Sequence, residues 1–311
     1  MALLAGVVLA WLGGTLFVTG GVSLAKIAKW PPAVIGVTVA AFGTSSPELM
    51  VSVQSALAGV PQIALGDVLG SNVVNVSLIL AVVLAMSGLK ADDGGIRRDW
   101  ACALAVPAGI AAVLWDGWFS RMDAAVLTSC FAIWLMAVVM HARRHALQHL
   151  DEIAEVQALP KLSVKLTVAQ VLGGLLLLMV AAQFVVYGGR GMAALLGWSP
   201  FIVGAVVVAV ATGTPELATT IVARAKGHHD VGLGAILGSN VFNALIIASV
   251  AAFIRPYGVR REEILPSIAF GIVTVLLVCP GKGGALGRWR GAVLLGVYAL
   301  YIALTLRSGG H

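Results

Sequence analysis

Long apolar stretches, separated by short charged or glycine- and proline-containing segments, occupy almost the whole chain. A helix needs about 20 apolar residues to cross the hydrocarbon core of a bilayer. Ten stretches of roughly that length fit between the charged positions, so we predict an all-α membrane protein with about ten transmembrane helices. Their approximate ranges are 3–25, 32–58, 62–87, 100–115, 122–141, 166–187, 200–225, 231–254, 264–279 and 290–307.

The composition supports this class of protein. Hydrophobic residues make up 59% of the 311 residues and charged residues only 11%, which is too little polar material to cover a soluble globule. Met1 leads into apolar residues without a basic region, so the first stretch is expected to be a resident helix and not a cleaved signal. Cys102, Cys130 and Cys279 lie in apolar stretches, so neither a disulfide framework nor a cysteine metal cluster is predicted.

One long polar connector, residues 142–165, divides the chain into two parts. Five predicted helices fall in residues 1–141 and five in residues 166–311. Because five is odd, the second part would enter the membrane from the opposite side. We therefore predict two inverted five-helix repeats, related by a pseudo-two-fold axis in the membrane plane.

The basic residues are distributed unevenly between the two sides of this layout. Fourteen of the 20 Lys and Arg residues fall in loops on the side that carries the connector. The positive-inside rule makes that side cytoplasmic and places both termini outside the cytoplasm. The net charge of +6 is thus explained by topology, and no nucleic-acid partner is predicted.

The two parts contain an internal repeat with a spacing of 168 residues and no gap. Such a repeat in an apolar chain is typical of a transporter. The matching segments are Trp30-Pro31-Pro32 and Trp198-Ser199-Pro200, Gly36 and Gly204, Pro47-Glu48 and Pro215-Glu216, and Gly70-Ser71-Asn72-Val73-Val74-Asn75 and Gly238-Ser239-Asn240-Val241-Phe242-Asn243.

Each repeat places a polar segment and a glutamate inside an apolar stretch. Residues 41–48 read Ala-Phe-Gly-Thr-Ser-Ser-Pro-Glu, and residues 211–216 read Ala-Thr-Gly-Thr-Pro-Glu. Glycine and proline at these positions are expected to break the helix near the midplane and free backbone carbonyls, which is tolerated only beside protein or a polar cavity. An ionisable residue at this depth is costly, so Glu48 and Glu216 are candidate functional residues.

The next helix of each repeat carries further oxygen donors. Ser71 and Asn75 are one turn apart, and Ser239 and Asn243 repeat this spacing. Hydroxyl and amide oxygens complement carboxylates as ligands for sodium or calcium, although small polar residues also pack membrane helices together. Asp67 extends the first face, but its counterpart is Ala235. It is read either as an access-path carboxylate or as a helix-start residue near the outer interface.

At these motifs the sequence resembles the cation/calcium exchanger superfamily, in particular the sodium/calcium exchanger branch with paired alpha-repeats. The resemblance covers both repeats and the ten-helix layout, and it implies that Glu48 and Glu216 are central ligands shared between calcium and sodium. It assigns oxygen atoms of Thr44 and Thr212 to the calcium site and implies flanking sodium sites beside it. Its implied ligands of the sodium sites are the carbonyls of Ala41 and Ala209 and the hydroxyls of Ser45, Ser71 and Ser239. It also implies that Asn75 and Asn243 border the central site.

Two positions depart from the family pattern. The alignment of the repeats places Gly213 where the second repeat of the family has a serine, so one sodium-binding hydroxyl is missing. Asn243 stands where some prokaryotic relatives have aspartate, which leaves Glu48 and Glu216 as the only carboxylates among the four central positions. Two carboxylates neutralise one calcium ion, but displacement by sodium, by protons or by both stays open.

Two other classes of function could also use buried carboxylates in a membrane. A calcium channel would arrange similar ligands around an oligomer axis, and an intramembrane hydrolase would use paired carboxylates as acid and base. Calcium/proton antiport is the main alternative within the exchanger superfamily. His141, His145 and His149 could share one helical face and bind a metal, but a solvated helix end is the preferred interpretation.

The glycine pairs of the first and sixth helices also suggest a mechanical role. Gly13-Gly14, Gly20-Gly21 and Gly188-Gly189 would let these two helices slide across the remaining bundle, or would simply pack helices closely. We expect a transporter that is not an enzyme and that binds neither a cofactor nor a nucleotide, located in a prokaryotic inner membrane with calcium, sodium and lipid as its partners. The oligomeric state stays open.

Overall fold

A computed structural model describes residues 1–28, 41–90, 96–148, 163–214, 216–217, 220, 231–279 and 285–308. These residues are almost entirely helical, which confirms the predicted helical membrane protein. Six helices of the described part are long and apolar enough to cross a membrane, and one shorter apolar helical stretch covers Pro200–Thr212. The six are Ala2–Ile27, Gln62–Met86, Arg121–Met140, Val164–Leu196, Leu233–Ile254 and Arg288–Arg307.

The first part of the chain contains seven α-helical segments, one π-helical segment and two short strands within its described residues. In chain order they are α1 (Ala2–Ile27), α2 (Ala41–Thr44), α3 (Ser46–Leu57), α4 (Gln62–Val74), π1 (Asn75–Leu80), α5 (Ala81–Ser87), β1 (Leu89–Lys90), α6 (Ile96–Val113), β2 (Trp118–Phe119) and α7 (Arg121–Gln148).

The second part has a similar order in its described residues. Its elements are α8 (Val164–Leu196), α9 (Pro200–Val203), π2 (Gly204–Val208), α10 (Ala209–Thr212), α11 (Val231–Phe242), π3 (Asn243–Ile247), α12 (Ala248–Ile254), β3 (Tyr257–Gly258), α13 (Arg261–Leu277), β4 (Ala285–Leu286) and α14 (Arg288–Ser308).

Helix α8 is longer than the predicted range of 166–187. It begins where the Ser163 hydroxyl accepts a hydrogen bond from the Leu166 backbone N–H, and it ends at Gly197, which has a φ of 67°. These are the usual N-cap and C-cap signals of a helix. At 1.5 Å per residue its 33 residues extend for about 50 Å, so this helix must tilt in a bilayer or extend beyond its hydrocarbon core.

Two helical rods form the centre of the bundle. In the most apolar windows of Gln62–Met86 and Leu233–Ile254, 83% of the residues are buried, against 22–28% in the other four candidate spans. A helix that is apolar or small on every face belongs inside a membrane protein. The surrounding four helices expose apolar side chains, as lipid-facing helices do.

Glycine allows the first central rod to cross the second repeat at backbone contact. A Cβ atom added to Gly66 would overlap the carbonyl oxygen of Phe201, and one added to Gly204 would overlap the carbonyl oxygen of Ile63. Small residues permit such close approach between membrane helices. This crossing brings α4 directly against α9 and π2, and therefore beside α10.

Helices α1 and α8 form an antiparallel pair. Gly13 on α1 lies against Leu178 on α8, and Gly188 at the far end of α8 lies against Leu3; a Cβ on either glycine would come within 3.0 Å of the partner helix. A Cβ on Gly14 or on Gly189 would instead face the bundle, with its nearest neighbours at 3.5–4.0 Å. At these glycines the pair is tighter within itself than against the bundle.

Two antiparallel strand pairs link loops of the two parts. Strand β1 pairs with β4, and β2 pairs with β3. A shift of 168 residues carries Leu89 of β1 onto Tyr257 of β3 and Trp118 of β2 onto Leu286 of β4. The two strand pairs therefore occupy corresponding places in the two repeats.

Candidate functional site

Both polar segments interrupt a helix, as the sequence predicts. In the first repeat α2 ends at Thr44 and α3 begins at Ser46, so the interruption falls at Ser45. In the second repeat α10 ends at Thr212 and is followed by Gly213. Pro47 stands near the start of α3, where proline is readily accommodated, whereas Pro215 lies outside the described residues.

The two glutamates that follow these interruptions are buried. Glu48 is fully inaccessible to solvent and Glu216 is 4% exposed. Both carboxylate oxygens of Glu48 lack a hydrogen-bond partner among the described residues. The Glu48 carboxylate lies within electrostatic reach of Glu216. Because a buried charge without a partner is costly, an ionised Glu48 needs a neutralising ion nearby.

Ser45 connects the two repeats. Its hydroxyl lies 2.6 Å from the Ser239 hydroxyl and donates a 3.5 Å hydrogen bond to Oε1 of Glu216. Thr44, at the end of α2, is also within reach of the Glu216 carboxylate. Residues of the first repeat therefore combine with residues of the second to surround one glutamate.

A second polar cluster forms around Asp67 on α4. The Thr212 hydroxyl donates a 2.9 Å hydrogen bond to Oδ1 of Asp67, and the Ser71 hydroxyl donates a 3.3 Å bond to the same oxygen. Asp67 is fully buried. It is therefore not a helix-start residue near the outer interface, because the crossing of α4 and α10 places it beside a predicted calcium ligand.

Four asparagines occupy the centre of the bundle. The side-chain amide of Asn72 donates to the Asn240 backbone carbonyl at 3.1 Å, and the amide of Asn240 donates to the Asn72 carbonyl at 3.0 Å. Asn75 donates to Oδ1 of Asn240 at 3.0 Å, while both side-chain polar atoms of buried Asn243 lack a partner within the described part of the chain. Asn72 and Asn240 lie 168 residues apart, so the repeat in the sequence could have indicated this reciprocal pair.

The π-helical segments begin at ligand-type residues. Segment π1 starts at Asn75 and π3 starts at its repeat counterpart Asn243. Such segments are often found at functional sites, where they alter the direction of side chains along a helix. Apolar periodicity gives no signal for them, and the sequence prediction missed them.

The two predicted carbonyl ligands lie at the starts of short helices. Ala41 is the first residue of α2, and Ala209 is the first residue of α10. The Ala209 carbonyl accepts a 3.1 Å hydrogen bond from the Gly213 backbone N–H. A carbonyl oxygen has two lone pairs, so this bond leaves one for a cation.

The donor set of the site is made of oxygen atoms. Carboxylates, hydroxyls and amide oxygens are the ligands that hard cations such as calcium take. No group of three or more His, Cys, Asp and Glu residues within metal-binding reach occurs among the described residues. A site for a soft metal is therefore not found there. His149 and the side chains of His141 and His145 fall outside the described part. The preference for a solvated helix end over a metal site at these histidines therefore stays a prediction.

Buried carboxylates and hydroxyls between membrane helices are typical of a cation-transport protein. The sodium/calcium exchanger protein family matches residues 1–140 and 166–307, and the chain belongs to this family. It is thus an integral membrane exchanger and not an enzyme.

Individual relatives cover nearly the whole chain. Inner membrane protein YrbG of Escherichia coli is 31% identical over 88% of this chain and 86% of its own length. Sodium/calcium exchanger MaX1 of Methanosarcina acetivorans is 25% identical over 98% of this chain and 97% of its own. A structure of the sodium-calcium exchanger NCX_Mj soaked with Na+ and Sr2+ superposes with a TM-score of 0.67 at 26% identity, covering 97% of this chain and 99% of that one.

Proposed function

We propose that this protein is a secondary-active antiporter that exchanges calcium for sodium across the membrane by alternating access. The observation that carries the proposal is the contact of Ser45 with Ser239 and Glu216, because it joins the two repeat motifs into one buried oxygen site. The names of MaX1 and NCX_Mj as sodium/calcium exchangers support it.

In this proposal the two glutamates are the central ligands. They bind either calcium or the counter-ion, so exchange follows from competition for one set of oxygens. An empty site would leave the charge of two buried carboxylates uncompensated and would be expensive to occlude, so the protein changes its facing only when it is loaded. The full proposed ligand set is Glu48, Glu216, Thr44, Thr212, Ser45, Ser71, Ser239, Asn75, Asn243 and the carbonyls of Ala41 and Ala209.

The proposed architecture is two inverted five-helix repeats, residues 1–141 and 166–311, joined by a cytoplasmic connector at 142–165, with broken helices at the midplane. The reciprocal bonds between Asn72 and Asn240 support a two-fold axis between the repeats, since symmetry requires each to make the same contact. The two strand pairs support it as well, because the repeat exchanges them.

The proposed moving part is the α1–α8 pair. The pair is closely packed within itself, and a small apolar cavity lined by Val7, Pro47, Val51, Leu178 and Thr212 lies between it and the bundle beside the site. Sliding of this pair would open the glutamates to one side and then to the other. In this proposal the protein lies in a prokaryotic inner membrane, in line with the name of inner membrane protein YrbG. Because the connector is on the cytoplasmic side and each half has five helices, both termini lie on the opposite side.

The counter-ion is the point on which two versions of the proposal differ. Gly213 removes a hydroxyl from the second repeat, which favours calcium/proton antiport as the alternative. Protons can displace calcium from carboxylates without any further ligand, whereas sodium requires neutral oxygen donors as well. Ser45 and Ser239 supply such donors on the other side of the site, and we therefore retain sodium.

Calcium uptake into proteoliposomes tests the proposal. Purified protein is reconstituted with internal sodium, and 45Ca2+ uptake is compared under an outward sodium gradient and an outward proton gradient. Sodium-driven uptake that is lost in Glu48→Gln and in Glu216→Gln is the expected result. Uptake driven only by protons would establish the alternative, and flux that is independent of any counter-gradient would exclude antiport.

Glu262→Gln is the matched control for this experiment. The same substitution there removes a carboxylate whose side chain is 80% exposed and whose ion pair with Arg260 spans 3.5 Å. This variant should retain full sodium-driven uptake. A loss of uptake in the control would show that the glutamine variants fail for reasons unrelated to the buried site.

A further inference from the structure

The two halves of the site are not equivalent. Under the 168-residue repeat Ser45 corresponds to Gly213, and Asp67 corresponds to Ala235. The first repeat thus contributes both a hydroxyl and a carboxylate that the second repeat lacks. The two sides of the site must therefore differ in charge as well as in the number of hydroxyls.

The side that contains Ser45 is rich in hydroxyls. There, Glu216 accepts a hydrogen bond from Ser45, and Ser45 also contacts the hydroxyl of Ser239. On the symmetry-related side the corresponding contacts would run from residue 213 to Glu48 and Ser71. Because residue 213 is glycine, they cannot form, and the Glu48 oxygens have no hydrogen-bond partner within the described chain.

Asp67 supplies oxygen on the side that lacks this hydroxyl. Ser71, which has no serine opposite it, donates to Asp67 instead, and so does Thr212. Both bonds end on Oδ1 of the carboxylate. Oδ2 is buried and has no partner among the described residues, so an ionised Asp67 is left with an oxygen that a cation could bind.

The hydroxyl of Thr212 can turn toward a cation without losing its own hydrogen bond. Its oxygen lies 3.1 Å from the Val208 carbonyl as well as 2.9 Å from Asp67. A hydroxyl has one proton and two lone pairs. When the proton goes to Val208, both lone pairs become available to an ion held by Asp67.

Charge balance indicates which kind of ion this is. Asp67 lies within electrostatic reach of both Glu48 and Glu216, and all three are buried. When all three are ionised, one calcium ion neutralises two carboxylates and leaves the third uncompensated. A single monovalent cation completes the balance, whereas a second divalent ion would exceed it.

We propose that Asp67, Ser71 and Thr212 form a site for one alkali-metal cation, which is occupied together with calcium in the same loaded state. The site replaces the hydroxyl that Gly213 lacks and makes the total counter-charge of the loaded protein three positive units. This inference rests on the proposed calcium-binding function and defines which ions accompany calcium.

Equilibrium binding with two isotopes tests the site. Detergent-purified protein is saturated with calcium, and bound 22Na+ is counted against bound 45Ca2+; a parallel series uses 86Rb+ in place of 22Na+. The wild type should retain one alkali ion per bound calcium, and Asp67→Asn should retain none. The series with the higher occupancy identifies the preferred ion.

Asp67→Asn keeps an oxygen in place of Oδ1, so Ser71 and Thr212 retain their acceptor and the variant is expected to fold. Asp67→Glu should restore part of the alkali-ion binding. Glu262→Gln, which lies outside the site, should leave the calcium-dependent alkali ion in place. Elution as a single symmetrical peak in gel filtration checks that each variant is folded.

Three outcomes would overturn the inference: a wild type that binds calcium without an alkali ion, an Asp67→Asn variant that retains the ion, or loss of the ion in Glu262→Gln as well as in Asp67→Asn. Failure of the proposed function would look different, because 45Ca2+ would then not bind to the wild type. In that case, 22Na+ binding without calcium still tests whether Asp67 is a ligand, since the wild type should bind one more sodium ion than Asp67→Asn.

Discussion

Replacement of Glu48 by glutamine should make the ion-free protein more stable while abolishing its response to calcium. The side chain keeps its size, so packing in α3 is preserved and the main change is the loss of one buried charge. Both Glu48 oxygens are inaccessible and lack hydrogen-bond partners among the described residues. At a pH where Glu48 is ionised, the desolvation of that charge outweighs the favourable interactions with its own backbone and with Thr212.

The expected magnitudes follow from this burial. An uncompensated buried charge costs about 3–5 kcal/mol in proteins, so the ion-free variant should gain up to that amount. A carboxylate about 4 Å from a bound ion attracts it by about 4 kcal/mol per unit of the ion's charge, at an effective dielectric constant of about 20. Glu48→Gln removes this attraction. Even one such unit corresponds to a loss of about 1,000-fold in calcium affinity.

Thermal unfolding in detergent at pH 8 measures both effects. In the presence of a calcium chelator, Glu48→Gln should melt at a higher temperature than the wild type. With added calcium the wild type should shift upward and the variant should not. A variant that melts lower in chelator, or that keeps the wild-type calcium shift, would refute the reasoning, and Glu262→Gln should match the wild type in both conditions.

Further substitutions test other parts of the structure. Gly13→Leu should stop 45Ca2+ uptake in proteoliposomes, because even a Cβ there would lie 2.9 Å from Leu178; unchanged uptake would argue against a closely packed pair. Asn72→Ala should lower the free energy of unfolding by about 1–3 kcal/mol, measured by denaturant titration, because the Asn240 backbone carbonyl loses the hydrogen bond that the Asn72 side-chain amide donates. Ser45→Ala should raise the sodium concentration required for half-maximal exchange. Calcium affinity should fall as pH is lowered, because protons compete for the same carboxylates, and a pH-independent affinity would contradict this site.

The sequence predicts the helical class, the polar breaks and the two central glutamates because each has a local signal. Apolar length identifies a membrane helix, and a Pro-Glu pair inside it identifies an unusual position. The repeat strengthens each signal, since chance matches at 168 residues without a gap are improbable. For these features local composition and spacing were sufficient.

Contacts across the bundle could not be predicted in the same way. The pairing of Asp67 with Thr212 depends on how closely α4 crosses α10, and that distance is set by backbone contact at Gly66 and Gly204. Glycine in a membrane helix indicates close packing but does not name the partner. The π segments at Asn75 and Asn243 likewise depend on helix geometry that residue periodicity does not record.

The reciprocal bonds between Asn72 and Asn240 are those of an isologous contact, in which the same residue of each half meets its equivalent. Two separate copies of a five-helix chain, inserted in opposite orientations, could form this contact without a connector. The covalent link at 142–165 is then needed to fix the ratio of the two halves and not to create their interface. Fusion also freed each half to change alone, and a serine at position 45 opposite a glycine at position 213 is a difference that a dimer of identical chains could not contain.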